Sequence, residues 1–214
     1  MFDPLDPELV LAAYQQGLFP MARSCNQPEL VWLQPIRRAI MPMGGLHIPR
    51  RLQKTMRSSA WRVSIDDDFA SVIAGCAAPR QAGDTGWINQ PILECFCKLH
   101  DMGYAHSIEV WYDNALAGGL YGLALGGAFF AESMFHLRSD ASKIALVHAV
   151  NCLERAGYLL FDCQFRTPHL VRFGVIEVTH PQFCVLLEQA IAVTPARLLR
   201  CRNIKHGIKD DHSR

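Results

Sequence analysis

Three polar side chains stand in apolar stretches of the sequence, where an uncompensated charge or amide is costly. Glu132 lies in the run GGAFFAESMF, and the alternation of side chains along a strand places it on the same face as Phe130 and Met134. Asp162 and Gln164 lie near the end of the run YLLFDCQF and share one face of a second strand at its carboxyl end. A carboxylate in such a setting is costly unless it is paired or has a function, so these residues are candidates for a functional site.

Ion pairing inside the fold is the structural alternative for both carboxylates, and the sequence leaves it open. Lys143 and Arg166 are the candidate partners nearest to them along the chain. Two histidines, His106 in AHSIEVW and His169 in TPHL, also titrate near neutral pH. An isolated histidine is more often a hydrogen-bonded structural group than a catalyst, so neither is assigned a role.

Five glycines cluster between residues 118 and 127, where a phosphate-binding loop is one interpretation. The cluster has no G-x-x-x-x-G-K-S/T pattern and no strand-to-helix junction beside it. Close packing of a strand pair, or the approach of a ligand to the backbone, explains the cluster better. The sequence also lacks the serine-nucleophile pattern G-x-S-x-G and the zinc pattern H-E-x-x-H.

The eight cysteines predict neither a zinc site nor a disulfide framework. Six are scattered singly, and Cys95 and Cys97 point in divergent directions on a predicted helix. The start MFDPLDPELV lacks the basic and apolar segments of a signal peptide, and no apolar run reaches the roughly 18–20 residues that span a bilayer. We therefore expect a cytoplasmic protein with free thiols and no membrane contact.

The polar side chains must be positioned by helices and strands that follow one another irregularly along the chain. Asp6 and Pro7 predict the start of a first helix that ends at Gly17, and a basic helix is expected near residues 49–57. Further predicted elements are a strand over 61–65, helices over 67–78, 90–102 and 140–155, strands over 104–111, 115–124, 128–135 and 158–163, and short helices over 168–173 and 181–192. Antiparallel strands followed by a long helix and a buried strand predict an α+β fold rather than a Rossmann sheet.

Charge is distributed unevenly along the 214 residues, although the total is only +1. Half of the residues are apolar and 19% are charged, which excludes a disordered chain. No acidic residue occurs between Glu29 and Asp66. The net charge is +4 over residues 1–65, −7 over 66–196 and +4 over 197–214. This asymmetry indicates contact with a polyanion, with a solvated basic helix face as the alternative, and it predicts two domains, over residues 1–60 and 61–214.

Seven sequence runs, taken together and in order, resemble one family. The N-terminal runs are AYQQGLFPM and VWLQPIRRAI, and the later ones are TGWINQPI, LHDMGYAHSIEVW, LAGGLYGLALGGAFFAESMF, DASKIALVHAV and FDCQFRTPHLVRFG. They are similar to the leucyl/phenylalanyl-tRNA–protein transferases and cover about residues 8–192. Each run alone is modest evidence, but their ordered combination is specific.

The resemblance implies an aminoacyltransferase of the bacterial N-degron, or N-end rule, pathway. Such an enzyme takes Leu or Phe, and less efficiently Met, from Leu-tRNA or Phe-tRNA and joins it to a protein that begins with Arg or Lys. The product is thereby marked for degradation. The resemblance further implies a small basic N-terminal domain that contacts tRNA, followed by a GNAT-like (acyl-CoA N-acyltransferase-like) catalytic domain. It also implies a monomer that uses no metal and no other cofactor.

The resemblance also implies roles for individual residues. Asp162 and Gln164 match the D-C-Q motif, in which the aspartate helps to deprotonate and align the attacking α-amine and the glutamine relays a hydrogen bond. Glu132 matches the acid of the E-S-M-F run and is expected to pair with the cationic acceptor. An apolar slot for the donor side chain would be lined by Met21, Trp87, Leu120, Phe129, Met134, Leu146, Leu153 and Phe161. Phosphates of the tRNA acceptor stem would be bound by Arg37, Arg38, Arg50, Arg51, Lys54 and Arg57.

Two other functions stay open at the level of sequence. A GNAT-like acetyltransferase would use acetyl-CoA, but its Q/R-x-x-G-x-G/A loop is not evident between residues 124 and 150. A non-catalytic RNA-binding module would need only the basic first part of the chain. The chain also departs from the family pattern at Met21, His136, Leu137 and His180, which affects local contacts and not the class of activity.

Overall fold

The computed structural model describes residues 5–79 and 86–196. The basic segment over 197–214 lies outside these residues. The helices are α1 (Pro7–Gln15), α2 (Arg50–Met56), α3 (Phe69–Ala77), α4 (Gln90–Asp101), α5 (Ala141–Ala156), α6 (Pro168–Val171) and α7 (His180–Ile191). The strands are β1 (Phe19–Ala22), β2 (Leu30–Leu33), β3 (Arg37–Met41), β4 (Trp61–Ile65), β5 (Ala105–Tyr112), β6 (Ala115–Leu125), β7 (Ala128–His136), β8 (Leu160–Gln164) and β9 (Ile176–Thr179).

A helix and a hairpin form the first unit of the chain. α1 begins where the Asp6 side chain accepts a hydrogen bond from the Glu8 N–H at 3.0 Å, with Pro7 in the first turn. Gly17 follows it in the left-handed region, with a φ of 76°. β1 and β2 then pair antiparallel. The predicted first helix is confirmed.

The main sheet has seven strands in the order β4-β5-β6-β7-β8-β3-β9. Neighbouring strands run antiparallel, except that β7 and β8 run parallel. A parallel pair needs a long crossover connection, and α5 lies between these two strands in the chain. The predicted α+β class is therefore confirmed.

Helices cover both faces of this sheet and divide the core into two layers. On one face, Leu52 of α2 and Val150 of α5 belong to a single apolar cluster with the strands. On the other face, α1, α3, α4 and α7 pack through side chains such as Val72 and Phe96. In the two described ranges, no helix is long and apolar enough to cross a membrane.

The domain boundary predicted near residue 60 is corrected by the sheet topology. β3 lies inside the main sheet, between β8 and β9. Leu52 and Met56 of α2 share a core cluster with Trp61. Residues 37–60 therefore belong to the large unit, and only α1 and the β1-β2 hairpin precede it. The prediction failed because net charge reports the surface of a segment, whereas shared core contacts decide which segments fold together.

Gly122 on β6 lies where the neighbouring backbone comes too close for any side chain. A Cβ there would lie 2.3 Å from the Phe130 carbonyl oxygen and 2.5 Å from the Phe129 ring. We expect Gly122→Ala to lower the free energy of unfolding by about 2–3 kcal/mol, because β6 and β7 must shift. Urea denaturation measures this loss. The control Gly103→Ala meets no heavy atom within 4 Å and has a φ of 84°, so its backbone strain should cost only about 1 kcal/mol. Equal losses would contradict the steric explanation.

Candidate active site

A cavity of about 790 Å³ opens where the two parallel strands part. The ladder between β7 and β8 ends at Phe130 and Asp162, although β7 continues to His136. Side chains from the free part of β7 and from the end of β8 form one wall. The N-terminal half of α5 and the segment after β8 contribute further lining, together with Trp87, Leu120 of β6 and the C-terminal end of α3. The splayed strands thus expose polar groups beside the apolar core.

The apolar part of the cavity contains five of the eight residues predicted for the donor slot. They are Trp87, Leu120, Met134, Leu146 and Phe161. Leu120, Leu146 and Phe161 are nearly or fully buried, and each belongs to the core cluster between the sheet and α5. The cavity is therefore an opening into the core, with walls that the fold itself holds in place.

Three residues predicted for the slot do not line the cavity. Phe129 is fully buried behind it, with its ring centroid 5.6 Å from that of Phe161. Leu153 is 1% exposed and lies in the same core cluster. Met21 is on β1 and packs against the other apolar cluster. These three assignments are corrected, since apolar character alone does not distinguish a cavity wall from the core behind it.

Glu132 and Gln164 meet on the cavity wall. The Gln164 Nε2 group donates a hydrogen bond to Glu132 Oε1 at 3.1 Å. Burial raises the pKa of the Glu132 carboxyl to about 8, and the nearby Asp162 carboxylate adds to this rise. The Tyr14 hydroxyl and the Arg38 guanidinium act in the opposite direction without cancelling it. Glu132 therefore exchanges a proton within the range of physiological pH.

The Tyr14 hydroxyl faces the same carboxyl from α1. It is fully buried, and its hydrogen bonding to Glu132 lowers the pKa of that carboxyl. Burial raises the pKa of Tyr14 well above its ordinary value, and Glu132 contributes to the rise. Tyr14 therefore stays a neutral phenol whose dipole is directed at the site from the first unit of the chain.

Asp162 lies behind the cavity wall and not in the cavity. Its side chain is 0% exposed and pairs with Arg38, whose Nη2 lies 2.6 Å from Asp162 Oδ2. Lys143, one of the two partners that the sequence offers, pairs instead with Asp140. Arg38 is only 1% exposed. The prediction that Arg38 contacts tRNA phosphates is therefore corrected, because its guanidinium is buried and paired with Asp162 inside the protein.

The other predicted phosphate-binding residues lie on the surface. Leu52 and Met56 anchor α2 in the core. Its opposite side carries the exposed cations Arg50, Arg51, Lys54 and Arg57, which we call the α2 basic face. Arg37, on β3, is also exposed, with its Nε 3.7 Å from Glu177. None of the four residues of the α2 basic face has an ion pair within 4.0 Å among the described residues.

The polar end of the cavity was not predicted from the sequence. It is lined by Ser142, Lys143, Thr167 and His169. Burial lowers the pKa of His169, as do the nearby cations Lys143 and Arg172 and the His136 ring. His106, the other candidate, lies elsewhere and bonds Asp66 at 2.7 Å. Within residues 5–79 and 86–196, no group of three or more His, Cys, Asp or Glu side chains is placed to hold a metal ion.

Raising the pH is expected to destabilise the fold through Glu132. Its carboxyl has a pKa of about 8 in the folded chain and about 4.3 in an unfolded one. Between these values the folded state keeps a proton that the unfolded state releases, so the free energy of unfolding falls as the pH rises. We expect Glu132→Gln, which keeps the neutral shape, to lie closest to the wild type at about pH 5 and to gain on it by on the order of 4 kcal/mol by about pH 8.5. Urea unfolding at both pH values measures this, and a pH-independent difference would contradict it.

Two family models match the chain. The model described as leucyl/phenylalanyl-tRNA protein transferase matches residues 40–188, and the model of that family's N-terminal domain matches residues 3–35. Along the chain, the first match ends at residue 35 and the second begins at residue 40, so the break between them includes the start of β3. This agrees with the boundary that the sheet topology gives. The first unit of the chain thus corresponds to a recognised N-terminal domain.

Curated relatives share about half of their residues with this chain. The leucyl/phenylalanyl-tRNA–protein transferase of Rhodopseudomonas palustris strain TIE-1 is 50% identical over 87% of this chain and 83% of its own length. The one from strain HaA2 is 50% identical over 87% and 84%. The Nitrobacter winogradskyi protein is 49% identical over 87% and 83%.

Solved structures resemble the fold more distantly. A GCN5-related N-acetyltransferase from Kribbella flavida is 11% identical, with a TM-score of 0.43 over 79% of this chain and 60% of that one. The structure of L-PGS from Bacillus licheniformis is 9% identical, with a TM-score of 0.43 over 87% and 70%. These are likenesses of fold only. Identity and coverage of the curated relatives, together with the matches of both family models, show that the chain belongs to the leucyl/phenylalanyl-tRNA–protein transferase family.

Proposed function

We propose that this chain transfers Leu or Phe, and less efficiently Met, from aminoacyl-tRNA to the N-terminal Arg or Lys of acceptor proteins. The coarser statement, that the chain is an aminoacyltransferase, follows from its family. In the finer proposal, the new peptide bond marks the acceptor for degradation in the N-end rule pathway. One observation carries it best: a single cavity joins an apolar slot to the Glu132–Gln164 pair.

The apolar slot suits the donor side chain. Leu120, Met134, Leu146 and Phe161 offer it no hydrogen-bonding partner, so shape and apolar contact must select the amino acid. Flexible Met134 and the aromatic Phe161 accommodate an unbranched, γ-branched or aromatic side chain. A β-branched side chain is stiffer and broader close to its backbone, and we expect it to be rejected on shape.

The Glu132 carboxylate suits the cationic acceptor, whose positive side chain or α-ammonium would lower the pKa of that carboxyl as it binds. For transfer, the α-amine must be neutral, because only its lone pair can attack the ester carbonyl carbon. The new C–N bond forms as the ester bond to the tRNA ribose oxygen breaks, and the proton that leaves the amine balances the one that the ribose oxygen gains. Because an aminoacyl ester is already activated, positioning contributes much of the acceleration.

The α2 basic face suits the phosphates of the tRNA acceptor stem. Three of its cations lie on one short helix and Arg57 directly follows it, and all four lie outside the cavity. Phosphate contacts bind any tRNA sequence and weaken steeply as salt rises. The proposal also includes a monomer in the cytoplasm that acts without a metal or other cofactor, with Arg37 as an additional phosphate contact.

A transfer assay tests the proposed function. Purified chain is mixed with radiolabelled Leu-tRNA, Phe-tRNA, Met-tRNA or Val-tRNA and with one protein in two forms, beginning with Arg or with Ala. We expect label from Leu-tRNA and Phe-tRNA, less from Met-tRNA, and only on the form beginning with Arg. Equal labelling of both forms, or label from acetyl-CoA and none from Leu-tRNA, would overturn the proposal.

A further inference from the structure

A buried ion pair lies directly behind the cavity wall. Arg38 Nε donates to Asp162 Oδ1 at 2.9 Å and to Oδ2 at 3.0 Å, and Arg38 Nη2 donates to Oδ2 at 2.6 Å. Arg38 is 1% exposed and Asp162 is 0% exposed. Asp162 is not among the residues that line the cavity, and its side chain is not accessible from it. Its contacts indicate a task other than direct proton transfer.

The guanidinium of Arg38 is held from three further directions. Arg38 Nη1 donates to the Gly17 carbonyl oxygen at 2.9 Å. The rings of Phe19 and Phe183 lie on it, with centroids 4.6 and 4.5 Å from the Arg38 Cζ atom. Arg38 therefore cannot move without disturbing the first unit and α7. It presents a fixed donor pair to Asp162.

The same carboxylate holds the backbone of Gln164. The Gln164 N–H donates to Asp162 Oδ1 at 2.9 Å. Gln164 has a φ of 54°, in the left-handed region that favours glycine. The pairing of β3 with β8 also shifts register opposite this point, between Ala39 and Ile40. A side chain in this backbone conformation needs support from its surroundings, and the Asp162 carboxylate supplies it.

The left-handed turn aims the Gln164 side chain into the cavity. Its Nε2 reaches Glu132 Oε1, 3.1 Å away, across the gap where β7 and β8 have parted. An extended backbone at this position would continue the strand and point the amide elsewhere. A continuous series of contacts thus runs from Arg38 through Asp162 and Gln164 to Glu132. We call it the Arg38 clamp.

We infer that Arg38 is a positioning residue for the transfer reaction, which acts through Asp162 to hold the Gln164 amide, and with it the Glu132 carboxyl, in the geometry that catalysis needs. The inference rests on the proposed function for its catalytic consequence. In this view Asp162 is also a positioning residue, and the residues that meet the substrate are Glu132 and Gln164. Small misplacements of such groups cost a large factor in rate.

A double-mutant cycle tests the Arg38 clamp. Arg38→Lys keeps the positive charge but loses the bidentate fork, and Gln164→Ala removes the amide. We expect each to lower kcat on the order of 10- to 100-fold, with the Kd for tRNA unchanged. If Arg38 acts through Gln164, the double variant is no slower than Gln164→Ala. Multiplicative losses would show that the two act independently and would overturn the inference.

A matched control comes from Arg62. It also pairs with a carboxylate, Asp67, and also lies over an aromatic ring, that of Trp111, but away from the cavity. We expect Arg62→Lys to leave kcat within about twofold of the wild type. A loss as large as that of Arg38→Lys would mean that any weakened arginine pair slows transfer, and it would contradict a specific clamp.

Two further measurements keep the test decisive. In Arg38→Met/Asp162→Leu an apolar pair replaces the ion pair, and such exchanges are often neutral for folding. We expect a chain that still unfolds cooperatively in urea, with kcat lowered at least about tenfold; full activity would overturn the inference. Carbon-13 NMR follows the Glu132 carboxyl directly and needs no transfer activity. The midpoint of the Glu132 titration curve should shift in Arg38→Lys and in Gln164→Ala, but not in Arg62→Lys. Should the wild type fail to transfer Leu, the proposed function fails while this titration still decides the clamp.

Discussion

Replacing Glu132 by glutamine is expected to lower kcat/KM on the order of 100-fold for an acceptor that begins with Arg, because a charge-assisted hydrogen bond worth about 2–3 kcal/mol is lost. The binding of Leu-tRNA should not change, since Glu132 lies on the cavity wall and the proposed phosphate contacts on the α2 basic face do not involve it. Steady-state transfer with varied acceptor and saturating Leu-tRNA measures the loss. The same experiment at rising pH adds a second signature.

The wild-type KM for the acceptor should fall as the pH rises toward about 8, because a neutral Glu132 must release its proton before it pairs with a cation. The glutamine variant should lack this dependence. Peptides beginning with citrulline, which has the shape of arginine without its charge, isolate the charge itself. If Glu132→Gln slowed the Arg and citrulline peptides equally, recognition of the acceptor side-chain charge would not be its role. Glu94→Gln, an exposed carboxylate on α4, is the control.

Reversing two charges of the α2 basic face should weaken tRNA binding by a factor as large as the loss of kcat/KM expected for Glu132→Gln. We expect Arg50→Glu/Lys54→Glu to lower the affinity for aminoacyl-tRNA on the order of 100-fold at about 0.1 M salt, and to reduce the slope of log affinity against log salt by about 2. The fold should survive, because both side chains are exposed and a glutamate in the first turn of α2 favours the helix dipole. Filter binding over a salt series measures both quantities.

A matched variant separates location from net charge. Lys98→Glu/Arg155→Glu makes the same change in net charge at exposed positions on α4 and α5. It should lower the affinity only slightly, through the overall field of the protein. Equal losses in the two double variants would show that tRNA responds to net charge alone, and the assignment of the α2 basic face would be withdrawn.

The sequence predicts most of the elements because their signals are local. Asp6 with Pro7, the β-branched and aromatic residues of β5 and the glycine after α5 each act over a few residues. The strand β9 (Ile176–Thr179) was not predicted. It is a short, largely exposed edge strand that pairs only with β3 in the main sheet, so it carries no clear apolar alternation.

The sequence predicted which residues belong to the site better than it predicted the contacts between them. Glu132 and Gln164 stand out as polar residues in apolar runs, and both line the cavity. The partner of Asp162 was not predictable, since Arg38 lies 124 positions away and looks like one more member of a basic segment. A weak local signal exists: Arg38 directly precedes the apolar residues Ala39–Met41 of β3, and a cation beside such a buried segment needs a buried partner. Only the sheet order identifies that partner.

The insertion of β3 between β8 and β9 also sets when the enzyme can become active during its synthesis. β8 has a hydrogen-bonded neighbour on both sides only once residues 160–164 have paired with β7 and with residues 37–41 of β3. Closing a chain of 124 residues costs about 4 kcal/mol in entropy, and pairing over such separations is slow. During synthesis, residues 37–41 are made well before β8 and β9, the strands that flank β3 in the sheet. We therefore expect the nascent chain to gain the ability to transfer amino acids only after residues 160–179 have been made.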